Sequence, residues 1–173
     1  MKISVDSIKE LRKLTCASFA HCRKALEEAG GDIGKAVEFL RKHGLEIAAK
    51  KGTTAREGRV EAYVHLGNKI GVLLEVNCET DFVARNDDFM QFTKDVSMQI
   101  TATSPVYIKK EDVPGDVIEK EKNKEEFYKN NCLLEQVFIK DSSITVKDYL
   151  GGLIAKLGEN IIIRRFTRYK VGE

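Results

Sequence analysis

The sequence predicts an α+β protein: an N-terminal three-helix bundle, a linker, and a three-stranded antiparallel sheet core covered by helices. Three observations lead there. Apolar residues recur at three- and four-residue spacing behind capping residues through about the first 45 residues. Two strand-like runs flank the turn pair Gly67-Asn68. A third apolar run, Asn160 to Val171, closes the chain around Ile161-Ile162-Ile163. A sheet with helices on one face leaves its other face to water or a partner.

Each element has a local reason. Ser4 can cap a first helix, with Asp6 in its first turn where negative charge suits the macrodipole, and Val5, Ile8 and Leu11 line one face. Ser18 can cap a second helix carrying Phe19, Cys22, Leu26 and Ala29 and ended by Gly30-Gly31. Asp32 can cap a third with Ile33, Ala36, Val37 and Leu40, ended by Gly44. The polar, basic stretch from Ala48 to Arg59 reads as a linker. Val60, Ala62, Val64 and Leu66 alternate with polar neighbours as the inward face of a half-buried strand, and Ile70 to Val76 reads as the better-buried partner. Asn86 can cap a helix with Asp87 and Asp88 in its first turn and a core face of Phe89, Phe92, Val96 and Ile100, ending before Ser104-Pro105. The charged segment Glu111 to Asn131 reads as a solvated helix. Thr145 with Asp148 resembles a capping box for Val146 to Leu157, although Gly151-Gly152 inside that helix has no local explanation. The resulting division is residues 1–50 as the helical module, 51–59 as linker and 60–173 as the α+β core.

Composition narrows the function classes. With 173 residues, 42% of them hydrophobic, the chain can bury a core without metal or disulfide staples. No run approaches the roughly 20 apolar residues of a membrane span. Met1 to Asp6 lacks the apolar core of a signal peptide, so a cytoplasmic protein is expected. Cys16, Cys22, Cys78 and Cys132 are scattered, and His21, His43 and His65 lack paired spacing, so neither a zinc site nor any other metal site is expected. Residues 1–59 hold 13 Lys/Arg against 8 Asp/Glu and residues 60–173 hold 16 against 19, a basic module on a mildly acidic body.

Motifs for covalent chemistry are missing. There is no GxSxG, no phosphate-cradling GxxxxGK[ST] and no histidine with a local partner, so neither catalysis nor a cofactor is expected. The doublet Lys50-Lys51 lacks interleaved aromatics, and Arg164-Arg165 lies on a strand where neighbours face opposite sides, so direct nucleic-acid binding is not expected.

What stands out is Asn77-Cys78-Glu79-Thr80-Asp81-Phe82-Val83-Ala84-Arg85-Asn86-Asp87, a largely polar strand-to-helix connection containing a bulky aromatic. Large apolar side chains are costly to leave in water, so two readings stand. Phe82 or Val83 plugs the joint while Asp81 caps a turn, or the aromatic is meant for a partner.

These residues carry a resemblance that runs nearly end to end. Leu11-Arg12-Lys13-Leu14-Thr15, Cys22-Arg23-Lys24-Ala25-Leu26, Gly31-Asp32-Ile33, Glu75 to Ala84, Gly158-Glu159-Asn160-Ile161 and Arg164-Arg165-Phe166 resemble, in order, the blocks of bacterial elongation factor Ts. That family exchanges nucleotide on elongation factor Tu. The chain is similar to its compact members, which carry a single core subdomain. The resemblance implies a UBA-like N-terminal bundle that grips the GTPase through the positions of Arg12, Phe19 and Ala20. It implies that Thr80, Asp81, Phe82 and Val83 reach the nucleotide and Mg²⁺ site of elongation factor Tu, in its GDP-bound and nucleotide-free states. There Phe82 wedges between helices and GDP leaves, with no covalent step. It further implies a homodimer, with the exposed sheet face as pairing surface, and a 2:2 complex with the GTPase. One departure stands out. Where the family often carries paired methionines, this chain has Phe19-Ala20; Phe19 is an apolar knob of comparable size and Ala20 lacks the reach.

Two rivals give different expectations. A non-exchanging scaffold that binds through the helical module would lose all binding without residues 1–50 and be indifferent to Phe82→Ala. An RNA-binding translation factor would show affinity that falls steeply with salt.

Overall fold

The computed structural model describes residues 3–15, 17–51 and 55–173, and their side chains except those of 45–51. Met1, Lys2, Cys16 and linker residues 52–54 lie outside the described residues, as do the side chains of Lys50-Lys51. In chain order the helices are α1 (Val5–Thr15), α2 (Phe19–Glu28), α3 (Ile33–Lys51), α4 (Asp81–Ala84), α5 (Asp87–Thr103), α6 (Gly115–Ile118), α7 (Lys124–Asn131) and α8 (Val146–Leu157). The strands are β1 (Glu57–Val64), β2 (Ile70–Cys78), β3 (Val137–Phe138), β4 (Asp141–Thr145) and β5 (Ile162–Lys170). The chain divides into two compact units, Met1–Thr54 with Asp148–Ile161, and Ala55–Lys147 with Ile162–Glu173. The stretch 148–161, read from sequence as part of the body, therefore clusters with the N-terminal helices.

In the helical unit the expected caps form. Ser7 N–H donates to Ser4 Oγ at 3.0 Å, His21 N–H to Ser18 Oγ at 3.2 Å and Lys35 N–H to Asp32 Oδ1 at 2.9 Å. At the end of α2, Gly31 N–H donates to the Leu26 carbonyl at 2.8 Å and Gly30 N–H to that of Glu27 at 3.3 Å. This double bond pattern requires left-handed backbone, supplied by glycines at φ +61° and +88°. Ile8, Leu11, Cys22, Leu26, Ala36 and Leu40 form the core.

The expected stop at Gly44 is corrected, because α3 runs through it to Lys51. A side chain at Gly44 would place its Cβ 2.5 Å from the Gly151 carbonyl oxygen and 3.3 Å from Ala155 Cβ, both on α8. Gly44 is thus a contact point between helices, and a signal for chain reversal at α2 is a signal for close packing at α3. Gly151, whose carbonyl oxygen Gly44 approaches, is buried, whereas a Cβ at Gly152 would meet nothing within 4 Å. The linker is correspondingly shorter than the sequence suggests, since residues up to Lys51 are helical and β1 begins at Glu57.

In the other unit β1, β2 and β5 form an antiparallel sheet in the order β1-β2-β5. The β1–β2 connection turns at His65–Asn68, where Asn68 N–H donates to the His65 carbonyl at 2.9 Å. Helix α5 lies against β1 and β2 and buries Phe89, Phe92, Val96 and Ile100, as its periodicity predicts. It ends at Ser104, which adopts φ +50°.

The facing of β1 is the reverse of the expected one. Val60, Ala62 and Val64 are exposed, and Glu61, only 7% exposed, points inward instead. Burying a carboxylate demands partners. Glu61 Oε2 accepts from Arg59 Nε at 2.9 Å and from Thr93 Oγ1 on α5 at 3.3 Å. Leu66 lies beyond the strand and is exposed.

The segment Glu111 to Asn131 is not one helix but a 3₁₀ turn at Lys110–Asp112 followed by α6 and α7. Pro114 disfavours helical backbone at the residue before it and lacks an N–H. Asn123 then starts α7 afresh by accepting from Glu126 N–H at 3.2 Å. The small β3–β4 hairpin was not foreseen; its anchor is α5, where Gln99 donates to the Val137 carbonyl at 3.1 Å and accepts from Ile139 N–H at 2.8 Å.

Candidate functional site

The connection singled out in the sequence is a one-turn helix, not a loop. Strand β2 ends at Cys78, whose buried thiol donates to the Thr80 carbonyl at 3.1 Å. Thr80 caps α4, its Oγ1 accepting from Val83 N–H at 3.4 Å. Asn86 accepts from Asp88 N–H at 2.9 Å and starts α5. A helix this short has no stability of its own. It is held by the Thr80 cap, by Arg85 N–H donating to the Asp81 carbonyl at 3.2 Å and by Val83, which is buried.

The structure treats the two apolar residues differently. Val83 plugs the joint between strand and helix. Phe82, one position earlier, points the other way and is 83% exposed. A helical turn separates neighbouring side chains by about 100°, so fixing Val83 inward fixes Phe82 outward. Asp81, in the first turn of α4, pairs with Arg85 at 3.1 Å. Both groups are solvated, so this pair adds little stability, but it borders Phe82 with one charge of each sign.

Arg12, Phe19 and Ala20 are all exposed on the helical unit, Arg12 on α1 and the other two in the first turn of α2 behind the Ser18 cap. Phe19 is 48% exposed and Leu14, near the end of α1, is 66% exposed. Sequence reasoning missed Leu14, since its three-residue spacing from buried Leu11 suggests core.

The reactive side chains have structural partners. The described cysteines Cys22, Cys78 and Cys132 are buried thiols, and burial pushes the Cys132 thiol up to about 11, where it stays protonated. Buried Asp95 is bound by Lys140 at 2.6 Å and by Gln91 at 2.8 Å. Among the described residues no group of three His, Cys, Asp or Glu side chains could hold a metal ion, and no helix is long and apolar enough to cross a membrane.

The site is thus an exposed aromatic on a short helix that Thr80 caps and Val83 roots, with no cluster of metal-ligating side chains among the described residues. Comparison with known proteins identifies the family. The family model described as Elongation factor TS matches residues 1–126, which include α4 and the helices carrying Arg12 and Phe19. Elongation factor Ts of Caldanaerobacter subterraneus subsp. tengcongensis is 53% identical, covering 99% of this chain and 98% of that protein. That of Carboxydothermus hydrogenoformans is 51% identical over 99% and 90%, and that of Thermotoga maritima 49% identical over 100% and 98%. The chain belongs to the elongation factor Ts family.

Proposed function

We propose that this protein is a guanine-nucleotide exchange factor of translation elongation, which binds elongation factor Tu–GDP and promotes GDP release by inserting Phe82 beside the nucleotide and Mg²⁺ site. The observation that carries this reading is the exposure of Phe82 on a helix anchored by buried Val83. A wedge must be both solvent-facing before binding and rigidly backed, and α4 supplies both. Thr80 caps the turn, Asp81 opens it and Val83 roots it. No bond is made or broken; nucleotide and exchange factor each weaken the other's binding, and the coupling is reciprocal.

The helical unit supplies the grip. Arg12 and Phe19 offer a cation and an apolar knob, and Ala20 keeps the surface beside Phe19 low. A UBA-like bundle acting in this way explains the basic balance of residues 1–59 as complementarity to an acidic partner face. The buried thiols Cys22, Cys78 and Cys132 suit the reducing cytoplasm, where translation takes place. The direct test is release of labelled GDP from elongation factor Tu followed with and without this chain. Acceleration is expected, and an unchanged rate sinks the reading.

The outer face of the sheet supports a homodimer, and with the GTPase a 2:2 complex. Val60, Val64, Leu73, Ile162 and Tyr169 are exposed there, around one Glu75–Arg165 ion pair of 2.6 Å. An apolar sheet face of this kind is poorly matched to water. In a two-fold dimer each residue of the face counts twice. Leu73→Lys, on the central strand, is expected to weaken self-association by at least about a hundredfold. Sedimentation equilibrium reads this directly, and a wild-type chain that stays monomeric at tens of micromolar contradicts the dimer.

A further inference from the structure

We propose that Gly58 is a positioning residue for the Phe82 helix: the absence of a side chain there lets β1 close against the end of β2, and this closure sets how α4 presents Phe82. The proposal rests on the exchange reading above for its functional consequence and on geometry for the rest.

Gly58 adopts φ +150°, a backbone conformation that L side chains rarely take. A Cβ at this position would lie 2.3 Å from the Val76 carbonyl oxygen and 2.8 Å from Asn77 Cα. Both are backbone atoms, so no side-chain rotation relieves the overlap. The close approach is local. At the far end of the same ladder, a Cβ on Gly71 would meet nothing nearer than 3.9 Å.

The approach falls where the strands deliver the site. Gly58 pairs with Asn77, and the Asn77 amide donates to the Glu57 carbonyl at 3.2 Å, tying the two strand ends together. On the other side of β2 the register with β5 shifts between Glu75 and Val76, so the ladder is irregular there. Beyond Asn77, four residues of continuous, bonded backbone lead to Phe82. Cys78 holds the Thr80 carbonyl, Thr80 caps α4, and Val83 is buried. Helix α4 also lies against β1 itself. Relieving a 2.3 Å overlap to ordinary contact at 3.4 Å moves the strand ends apart by about 1 Å, and α4 is too tightly bonded to β2 to stay behind.

The test combines Gly58→Ala and Phe82→Ala in the full chain. GDP release from elongation factor Tu is measured by stopped flow, and amide hydrogen exchange is followed over residues 78–86. Gly58→Ala is expected to lose about tenfold in exchange rate, since misplacement by about 1 Å is enough for such a loss. In the Phe82→Ala background the same substitution is expected to change the rate by less than about twofold, because its effect passes through Phe82. Amide exchange in 78–86 is expected to speed up while α5 stays protected. Normal GDP release by Gly58→Ala, or losses that simply multiply, overturns the proposal. If Gly58→Ala does not fold, Asn77→Ala removes the tie between the strand ends without adding atoms. It is expected to lose about threefold with the same dependence on Phe82, and independence overturns the proposal. If Phe82→Ala itself exchanges at the normal rate, the exchange reading fails. Positioning by Gly58 is then judged by amide exchange alone, and unchanged protection of 78–86 overturns it.

Discussion

Replacing Phe82 with alanine is expected to slow GDP release by about ten- to a hundredfold and to leave the fold intact. Full burial of one phenylalanine side chain contributes about 1.5–3 kcal/mol, which corresponds to that range in an equilibrium. This is a ceiling as well as an expectation. An exchange factor works by favouring the nucleotide-free GTPase, and only the differential part of its binding counts. Acceleration beyond about a hundredfold must draw on the helical unit and on the remaining surface of the sheet unit. The fold should not suffer, because the side chain is 83% exposed and α4 is rooted by Val83. Substitutions at such positions usually shift stability by no more than about 0.5 kcal/mol. Stopped-flow release of labelled GDP, run beside a thermal melt, separates the outcomes. A variant that melts early, or one that exchanges normally, removes Phe82 as the wedge.

Gly44→Ala is expected to destabilise the protein by about 1–2 kcal/mol, reversing the usual sign for this substitution. In a helix interior, replacing glycine with alanine ordinarily stabilises by about 0.5–1 kcal/mol, because glycine loses more backbone freedom on folding. At Gly44 the new methyl would sit 2.5 Å from the Gly151 carbonyl oxygen and 3.1 Å from Ala155 N. These are backbone atoms of α8, so the helices must separate, and overpacking of this kind costs about 1–3 kcal/mol. Gly152→Ala provides the matched contrast. It lies one residue beyond Gly151 on the same helix, a Cβ there meets nothing within 4 Å, and it is expected to stabilise by about 1 kcal/mol. Urea unfolding of the two variants compares them directly. If both stabilise, the α3–α8 contact is not a tight seam.

The sequence signals that succeeded and those that failed differ in how local their physics is. Ser4, Ser18, Asp32 and Asn86 were legible as caps because a side-chain oxygen two or three residues from an unpaired N–H needs nothing else to form its bond. The core face of α5 was legible for the same reason, since its period is written in Phe89, Phe92, Val96 and Ile100. By contrast β1 was turned inside out. Alternation says that one face is buried but not which, and Val60 and Val64 suggested the wrong one. Glu61 could point inward only because Arg59 and Thr93 satisfy it, and Thr93 is on another element. The hairpin β3–β4 was missed because Gln99, 38 residues before Val137, holds it in place.

Glycine shows the same division. Gly30-Gly31 announced the end of α2, where the requirement is a backbone angle set by neighbouring residues. Gly44 looked alike in sequence and serves a different purpose, because what it lacks a side chain for is α8, more than 100 positions away along the chain. Gly58 gave no signal at all, its partner being the backbone of β2.

The sequence by itself determined the fold class, the caps, the family and the four residues Thr80, Asp81, Phe82 and Val83 as the place to look. It could not choose between Phe82 and Val83 as the side chain left exposed. That choice was made by the tertiary structure, which gives the space beneath α4 to Val83 and leaves Phe82 in water. The reason is geometric: spacing along a helix fixes the angle between two side chains, but only the packing of that helix against a sheet fixes which of them points in.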